Sequence, residues 1–307
     1  MTADAFEQAR PRLLGIAYRM LGSRAEAEDV VGDVAERWTT AAHDEIREPE
    51  AWLVTVTTRR ALDVLRSARL QREEYPGVWL PEPVATAPDP QLDVERLETL
   101  TIGFLVLLER LTPIERAVFV LHDALGYPYD VVAEAVGRSE AACRQALHRA
   151  RHHVTVPARR SDAERRHAEE VAARFLAVGQ GAGVDELLAM LAPGVIATSD
   201  GGGLAKAALR PVVGASRVAR LLANLAGRMG ESPGVFPCEL NGQPGAVMHT
   251  AEGWAAIAVE VDGDQVTAIH VVANPAKLER LVRDLGPAAA GRPDPWAAAR
   301  PLRSRRG

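Results

Sequence analysis

Residues 129–151 decide the fold of this chain's middle segment, and they read YDVVAEAVGRSEAACRQALHRAR. The pattern is a short helix from Tyr129 to Val136, a turn at Gly137, and a second helix that Ser139 begins as N-cap. Apolar residues at helical spacing allow the two helices to pack together, with Cys143 in the shared core. The stretch therefore predicts a helix-turn-helix unit, whose second helix presents its first residues to base edges in a DNA major groove.

The residues before this unit also predict helices. Thr112 is an N-cap, with proline at the first helical position and Glu115 at the third, so a helix is expected from Pro113 to about Leu125. Residues 92–111 predict a further helix. Together with the helix-turn-helix unit, these segments predict an all-α domain over residues 92–157.

A separate all-α domain is predicted over residues 1–73. Ser23 and Glu26 are spaced as a capping box, and the helix that they begin carries an apolar stripe ending at Trp38. Further helices are expected over residues 5–20 and 51–68.

Charge is distributed unevenly along these helical domains. Residues 26–50 carry nine acidic residues and two arginines, residues 59–72 five arginines and one acid, and residues 138–160 six arginines and one acid. Basic clusters of this kind allow contact with phosphate groups. On charge alone, the alternative for each cluster is a solvated helix face.

Residues 74–91 predict a proline-rich linker between the two helical domains. Its five prolines fix φ and remove backbone donors, which is typical of polyproline-like stretches. The linker also contains Trp79 and Leu80, whose apolar surface is costly to leave in water. We therefore expect both side chains to dock elsewhere on the chain.

Residues 162–286 predict an α+β domain. A capping box at Ser161 and Glu164 begins a helix, and later segments predict two more helices and five strands. The dipeptides Asn241-Gly242 and Asp262-Gly263 are hairpin-turn signals, so the last four strands are expected to form an antiparallel meander. Residues 287–307 are expected to form a mobile tail.

Composition excludes several classes of protein. With 307 residues and 47% hydrophobic content, the chain can form a real core, which excludes wholesale disorder. It contains no apolar run of transmembrane length and does not begin with a signal peptide, so a cytoplasmic protein with no membrane contact is expected. Cys143 and Cys238 cannot form a disulfide framework, and no zinc motif is present, so neither a metal nor a cofactor is expected.

Several short motifs of the helical domains occur together in a known order. These are Ala27-Glu-Asp-Val-Val31 with Trp38, Ala51-Trp-Leu53 with the following Arg60–Arg66, Leu111-Thr-Pro-Ile-Glu-Arg116, Tyr129–Gly137 and Leu147-His-Arg-Ala-Arg151. In this order they resemble conserved regions 2.2, 2.3, 2.4 and 4 of the extracytoplasmic-function (ECF) sigma factors of bacteria. The resemblance covers about half of the chain.

Three further motifs resemble one subgroup of these factors. They are Trp79-Leu-Pro-Glu-Pro83, Asp200-Gly-Gly-Gly203 and Asn274-Pro-Ala-Lys-Leu278. The subgroup carries a fused SnoaL-like domain, which implies a cone-shaped fold of the nuclear-transport-factor-2 (NTF2) type with a pocket between sheet and helices. This chain departs from the subgroup at Lys206, which does not directly follow the glycines, and at Ala276, which replaces an acidic residue.

The resemblance implies that the chain binds core RNA polymerase and promoter DNA. The polymerase-binding candidates are Glu28, Asp29, Asp33 and Trp38. The candidates for the opened −10 element are Thr58, Arg59, Arg60, Arg66 and Arg69. The candidates for the duplex −35 element are Glu140, Arg144, Gln145 and His148 on bases, with Arg138, Arg149 and Arg151 on phosphates.

The resemblance also implies that the fused domain regulates the factor in place of a separate anti-sigma protein. The residues expected to form the regulatory contact are Trp79, Leu80, Pro81, Asp200, Gly201, Gly202, Gly203, Asn274 and Pro275. Trp79 and Leu80 are expected to pack near the glycine turn. Whether the C-terminal domain also binds an unknown small ligand stays open from the sequence.

Two other functions stay open from the residues alone. The C-terminal domain could be a cyclase or isomerase that uses Asp200, His249 or His270 as a base, although a turn aspartate and satisfied sheet histidines are simpler interpretations. The helix-turn-helix could instead belong to a conventional regulator that binds duplex operators without polymerase. That second alternative leaves residues 1–73 without a function.

Overall fold

The structure is a computed structural model that describes residues 2–86, 99–178, 184–226, 234–250 and 252–284, without the side chains of residues 2–4 and 68–73. The described residues form two compact units. The first unit contains residues 2–73 and 99–159, and the second contains residues 74–86 and 160–284. Within these ranges, none of the helices has the length and hydropathy needed to span a bilayer.

The described part of the first unit is helical, which confirms the predicted class. Its α-helices are α1 Thr2–Leu21, α2 Arg24–Thr40, α3 Pro49–Glu73, α4 Ile102–Leu108, α5 Pro113–Phe119, α6 Tyr129–Val136 and α7 Glu140–Arg151. Of the helix predicted over residues 92–111, residues 92–98 lie outside the described residues, and α4 forms most of the remainder.

Side-chain caps set several of these helix boundaries. The hydroxyl of Ser23 accepts a hydrogen bond from the backbone N–H of Glu26 at the start of α2. Thr112 and Glu115 form the reciprocal capping box that their spacing predicts. Gly137 ends α6 with a φ of 65°, a left-handed conformation that glycine adopts without steric cost. Helices α6 and α7 thus form the predicted helix-turn-helix.

The helix that begins at Pro113 does not continue as an α-helix to Leu125. The backbone from Val120 to Ala124 is a π-helix, in which the amide of Leu125 donates to the carbonyl of Val120 at 3.0 Å. A π-turn holds one more residue than an α-turn, so it changes the direction of the side chains that follow it. Apolar spacing over so short a segment does not distinguish the two kinds of helix.

The two helical segments of the first unit pack against each other. Helix α1 contacts α2 and α3, α5 contacts α7, and α3 contacts α6. The guanidinium of Arg116, on α5, is 1% exposed and donates two hydrogen bonds to the carbonyl of Arg19 in the last turn of α1, at 3.1 and 3.2 Å. The side chain of Arg19 in turn donates to Thr99. Buried charged groups of this kind are stable only when paired or hydrogen-bonded.

The second unit combines helices with one mixed sheet, which confirms the predicted α+β class. Its elements are α8 Asp162–Val178, α9 Val184–Met190, β1 Leu191–Asp200, β2 Val212–Val213, α10 Ala215–Ala226, β3 Gly234–Leu240, β4 Gln243–Thr250, β5 Gly253–Asp262, β6 Gln265–Val272 and α11 Pro275–Asp284. The strand order is β2-β1-β6-β5-β4-β3.

The predicted meander accounts for four of these strands. Strands β3, β4, β5 and β6 are antiparallel neighbours, and Asn241 at the first hairpin turn has the left-handed φ of 54° that this turn requires. Strand β1, however, lies parallel to β6, with Ala197 opposite Ile269, so the sheet is mixed. Strand β2 and helix α11 were not predicted. A strand of two residues is too short to show alternation.

The two faces of the sheet carry different residues. Ala197, Ile257, Val259 and Ile269 face an apolar core that includes side chains of α8, α9 and α10. Because successive residues of a strand point to opposite faces, Asp200 lies on the other face. Residues 74–86, called here the linker segment, are not helical and belong to this same unit.

Candidate functional site

Helix α7 and the residue Arg138 before it present the predicted −35 residues to solvent. Gln145 and His148 are exposed, and the rings of His148 and His152 meet edge to face at 4.8 Å. Cys143 and Leu147 are buried on the opposite side of the helix, as predicted. All seven predicted −35 residues are exposed, namely Arg138, Glu140, Arg144, Gln145, His148, Arg149 and Arg151.

Three arginines of α7 are paired within the first unit. Arg144 forms an ion pair with Glu140 at 3.0 Å. Arg149 donates from Nε to Glu115 at 2.7 Å, and Arg151 binds both carboxylate oxygens of Asp123 at 2.7 and 2.8 Å. Burial raises the pKa of Glu115, but hydrogen bonds from Arg149 and the capping threonine outweigh it and hold that pKa below its ordinary value.

The predicted −10 residues of α3 are less accessible than their sequence suggests. Thr58 is fully buried and its hydroxyl has no hydrogen-bond partner among the described residues, so as the structure stands it cannot contact DNA. Arg59 is exposed, but its Nη2 donates to the backbone carbonyl of Glu134 on α6 at 2.8 Å. Arg60 forms an ion pair with Asp33.

The last two predicted arginines of α3 differ in how far the structure describes them. Arg66 is exposed and pairs at 3.1 Å with Asp63, three positions earlier on the same helix. The side chain of Arg69 lies outside the described residues.

Between α3 and the helix-turn-helix lies an open cavity of about 640 Å³ whose lining includes Arg59, Arg138 and Ser139.

The polymerase-binding candidates on α2 fall into two groups. Asp29 is exposed, and Glu28 and Asp33 are partly exposed, with Glu28 paired to Arg24 at 2.9 Å. Trp38, in contrast, is 4% exposed and packs against Trp52 with ring centroids 5.4 Å apart. The sequence suggested an aromatic anchor for a partner, but in this structure Trp38 belongs to the core.

Asp200 gathers much of the predicted regulatory site around one buried carboxylate. Its side chain accepts hydrogen bonds from the Tyr75 hydroxyl at 2.6 Å and from the backbone amides of Leu80 and Gly202, each at 2.9 Å. Lys277 on α11 supplies a counter-charge, with Nζ at 2.7 Å. These four donors compensate the carboxylate for the loss of water. We call this cluster the Asp200 site.

The linker segment surrounds the ammonium group of Lys277. Nζ lies 4.2 Å from the ring centroid of Trp79 and 5.1 Å from that of Tyr75, both within cation–π range, and it also donates to the carbonyl of Leu80. Burial raises the pKa of Tyr75, and the hydrogen bond to Asp200 raises it further, so this hydroxyl stays protonated and donates. Leu80 is fully buried, and Pro81 is buried beside it.

Close contacts leave no room for a side chain at the three glycines of the turn, residues 201–203. A Cβ on Gly202, whose φ is 60°, would lie 2.3 Å from the side-chain nitrogen of Asn274, and a Cβ on Gly203 would lie 2.9 Å from Pro76. A Cβ on Gly201 would meet a backbone carbonyl at 2.2 Å. The side chain of Asn274 donates a hydrogen bond to the Tyr75 hydroxyl. It also accepts one from the backbone amide of Ala276, in the first turn of α11.

Sequence reasoning did not select Tyr75 or Lys277. The lysine that it examined, Lys206, lies at the surface and pairs with Glu252 at 2.8 Å. Lys277 stands inside the quoted motif Asn274–Leu278, which was the available signal, whereas nothing local marked Tyr75.

A second contact joins the linker segment to the β3–β4 hairpin. Asn241 is fully buried and exchanges two hydrogen bonds with the backbone of Val84, at 2.8 and 3.0 Å. The amide of Thr86 donates to the carbonyl of Glu239, and the Thr86 hydroxyl accepts from the amide of Gly242. Sequence reasoning treated Asn241 only as a turn residue, because its second role depends on a segment more than 150 positions away.

The three candidates for a catalytic base are engaged in other contacts. Asp200 holds the linker segment, and the ring of His249 lies 4.6 Å from that of Trp254. His270 is buried between the Thr198 hydroxyl, at 2.8 Å, and Glu260, at 3.2 Å. This arrangement is a satisfied sheet histidine. No cluster within the described residues has the composition of a metal site.

Comparison with known proteins supports the sequence motifs. Residues 5–71 match the family described as sigma-70 region 2, and residues 103–154 match sigma-70, region 4. The chain is 40% identical over 294 residues to the ECF RNA polymerase sigma factor SigJ of Mycobacterium tuberculosis, covering 90% of this chain and 93% of that protein. It is 31% identical over 288 residues to the probable ECF RNA polymerase sigma factor SigI of the same species, covering 92% and 96%.

The fold agrees with a solved structure over nearly the whole chain. The crystal structure of the extracytoplasmic function sigma factor SigJ of Mycobacterium tuberculosis matches with a TM-score of 0.73 and 35% sequence identity. The match covers 90% of this chain and 98% of that one.

Proposed function

The chain belongs to the extracytoplasmic-function sigma factors of RNA polymerase, and from this premise we propose that α3 and α7 contact its promoter while the C-terminal domain regulates it through the linker segment. As a sigma factor it binds core RNA polymerase and directs transcription initiation. We place this activity in the cytoplasm, where the polymerase and the chromosome are.

The exposed side of α7 supports the −35 assignment. Gln145 and His148 project from the middle of a helix whose opposite side is buried, so they are available to base edges. Arg138 is exposed just before the helix and is available to a phosphate. Helix α2 offers Asp29 as an exposed acid for polymerase contact.

Contact between α3 and the −10 element requires a rearrangement within the first unit. Thr58 is buried, and Arg59 is hydrogen-bonded to α6, which belongs to the helix-turn-helix. The C-terminal end of a helix is partially negative, so the carbonyl of Glu134 offers Arg59 an interaction of the kind a phosphate would supply. We infer that α3 and α6 separate before α3 binds single-stranded DNA.

Run-off transcription tests the promoter assignment. The purified chain and core polymerase are incubated with templates that carry a randomised upstream region, and the transcribed templates are sequenced. We expect the wild-type chain to enrich two separated sequence elements, and the Gln145→Ala and His148→Ala variants to lose discrimination in the upstream element. Duplex binding by the free chain with no gain from core polymerase would instead support a conventional helix-turn-helix regulator.

The same assay tests regulation by the C-terminal domain. The linker segment connects the two sigma regions in sequence, and the second unit binds it at the Asp200 site and at Asn241. Releasing the linker segment with Lys277→Met should therefore change the yield of transcript. An unchanged yield, in a variant whose linker segment is shown to be released, would contradict the regulatory proposal.

A further inference from the structure

The C-terminal end of α7 is bound to the π-helical segment 120–124 by a two-point ion pair. Arg151 donates from Nε to one carboxylate oxygen of Asp123 at 2.8 Å and from Nη2 to the other at 2.7 Å. The Asp123 side chain is 13% exposed, so the pair is partly shielded from water. Bidentate arginine–carboxylate pairs fix orientation as well as contributing energy.

The same π-helical segment also reaches the middle of α7 indirectly, through Tyr129 at the start of α6. His122 stacks on Tyr129, with ring centroids 4.0 Å apart and planes 27° apart, and its Nδ1 lies 2.8 Å from the carbonyl of Tyr127. The guanidinium of Arg144 lies 4.9 Å from the Tyr129 ring centroid. Arg144 and Arg151 are seven positions apart, about two helical turns, and therefore lie on one side of α7. Asp123 thus supports α7 directly through Arg151, and His122 supports it indirectly through Tyr129 of α6.

The arrangement points to a role for Asp123 that no motif assigns. We propose that Asp123 is a positioning residue that sets the angle of α7 through Arg151, and that Arg151 supports the helix instead of binding a promoter phosphate. The inference rests on the proposed promoter contact of α7. It replaces the phosphate contact expected for Arg151 from sequence.

Arg149 provides the matched comparison on the same helix. Both arginines are just over half exposed, but Arg149 uses only Nε toward Glu115, which leaves its two terminal nitrogens available to a phosphate. Arg151 instead uses both Nε and Nη2 on the two oxygens of Asp123, so only one of its terminal nitrogens lies outside the pair. Each phosphate that a protein neutralises steepens the salt dependence of DNA binding by about 0.9 in the log–log slope. Arg149 should contribute to that slope, and Arg151 should not.

Removing the charge of Asp123 distinguishes two roles of Arg151, phosphate binding and support of α7, because they predict opposite changes in DNA affinity. If Arg151 bound a phosphate, Asp123 would compete for it, and Asp123→Asn would strengthen DNA binding. If Arg151 supports α7, Asp123→Asn weakens binding to the correct sequence and resembles Arg151→Ala.

The experiment uses holoenzyme reconstituted from the full chain and core polymerase. The probes are a duplex selected from a random-sequence library by the wild-type holoenzyme and a scrambled duplex of equal length. Dissociation constants are measured by fluorescence anisotropy over a series of KCl concentrations. We expect Arg151→Ala and Asp123→Asn each to weaken the selected complex by about threefold to fivefold, the effect of a partly exposed ion pair. Binding to the scrambled duplex and the salt slope should stay unchanged, whereas Arg149→Ala should lower the slope by about 0.9.

A charge-reversed pair guards against simple misfolding. The double variant Asp123→Arg with Arg151→Asp restores the interaction in the opposite direction, and we expect it to recover sequence discrimination. Three outcomes would each overturn the inference. Asp123→Asn binds DNA more tightly, Arg151→Ala lowers the salt slope as much as Arg149→Ala does, or the reversed pair does not recover sequence discrimination. If the wild-type holoenzyme selects no duplex at all, the promoter proposal itself fails, which is a distinguishable result.

Discussion

Replacing Lys277 with methionine removes the positive charge that faces the buried carboxylate of Asp200. The Asp200 side chain is fully buried, Lys277 is 13% exposed, and the two charged groups lie 2.7 Å apart. Removing one partner of a buried ion pair costs about 3–5 kcal/mol, because the other charge stays desolvated. Asp200 keeps its hydrogen bonds from Tyr75, Leu80 and Gly202, so we expect the lower value, about 3 kcal/mol. Methionine keeps apolar bulk beside Trp79.

The amide of Leu80 reports this change directly, because it donates to Asp200. Amide hydrogen exchange measured on this residue gives the free energy of local opening. A loss of about 3 kcal/mol accelerates its exchange by about 100-fold.

Lys206→Met is the matched control, since it removes the same charge from a surface pair. Lys206 and Glu252 lie 2.8 Å apart but are 66% and 40% exposed, and such pairs contribute about 0–1 kcal/mol. We expect Leu80 to exchange at the wild-type rate in this control. If exchange at Leu80 in Lys277→Met stays within about threefold of the control, Lys277 does not stabilise the Asp200 site and the reasoning is refuted.

Other contacts lead to four further predictions. Asn241→Gly keeps the left-handed backbone but removes the side chain that accepts a hydrogen bond from the Val84 amide. The hydrogen-exchange rate of that amide should therefore rise by about fivefold to tenfold. An unchanged rate would contradict the second linker contact. Trp38→Ala should lower the unfolding free energy by about 3–5 kcal/mol in denaturant titrations, because Trp38 is in the core. Asp29→Ala should change that free energy by less than about 0.5 kcal/mol while weakening co-elution with core polymerase, and the opposite pattern would exclude the assigned roles. Burial raises the pKa of Cys238 to about 11, which leaves little thiolate at pH 8. Alkylation of Cys238 by iodoacetamide, followed by mass spectrometry, should therefore be about 100-fold slower than alkylation of free cysteine. Equal rates would contradict this prediction.

The local elements of this chain follow from signals that span a few residues. The capping box at Thr112 and Glu115, the left-handed glycine at Gly137 and the hairpin turn at Asn241 all occur where the sequence predicts them. Each depends on interactions within about one turn of backbone, so neighbouring residues are sufficient to specify it. The resemblance to sigma factors then gave the order of the domains and the class of function.

The candidate sites were predictable only in part. The motifs around Trp79, Asp200 and Asn274 were visible as motifs, yet the hydrogen bonds that join them were not. The sequence drew attention to Lys206 because it lies close to the glycines along the chain, but Lys277 is the lysine that binds Asp200. Strand register and the start of α11 place Lys277 beside Asp200, and both depend on packing of the whole second unit.

The sequence by itself determined most of the helices, the hairpins and the two families of sigma motif, since helical and strand periods and turn chemistry are properties of consecutive residues. Only the tertiary structure decided which charged and polar groups are free to bind a partner. Thr58 is buried, and Arg151 is paired with an aspartate of the π-helix. Asp200, which the residues alone suggest is a turn residue and the resemblance places in the regulatory contact, is the buried acceptor for a tyrosine 125 positions away. Burial and ion pairing depend on which surfaces meet after folding, and a linear pattern does not record that.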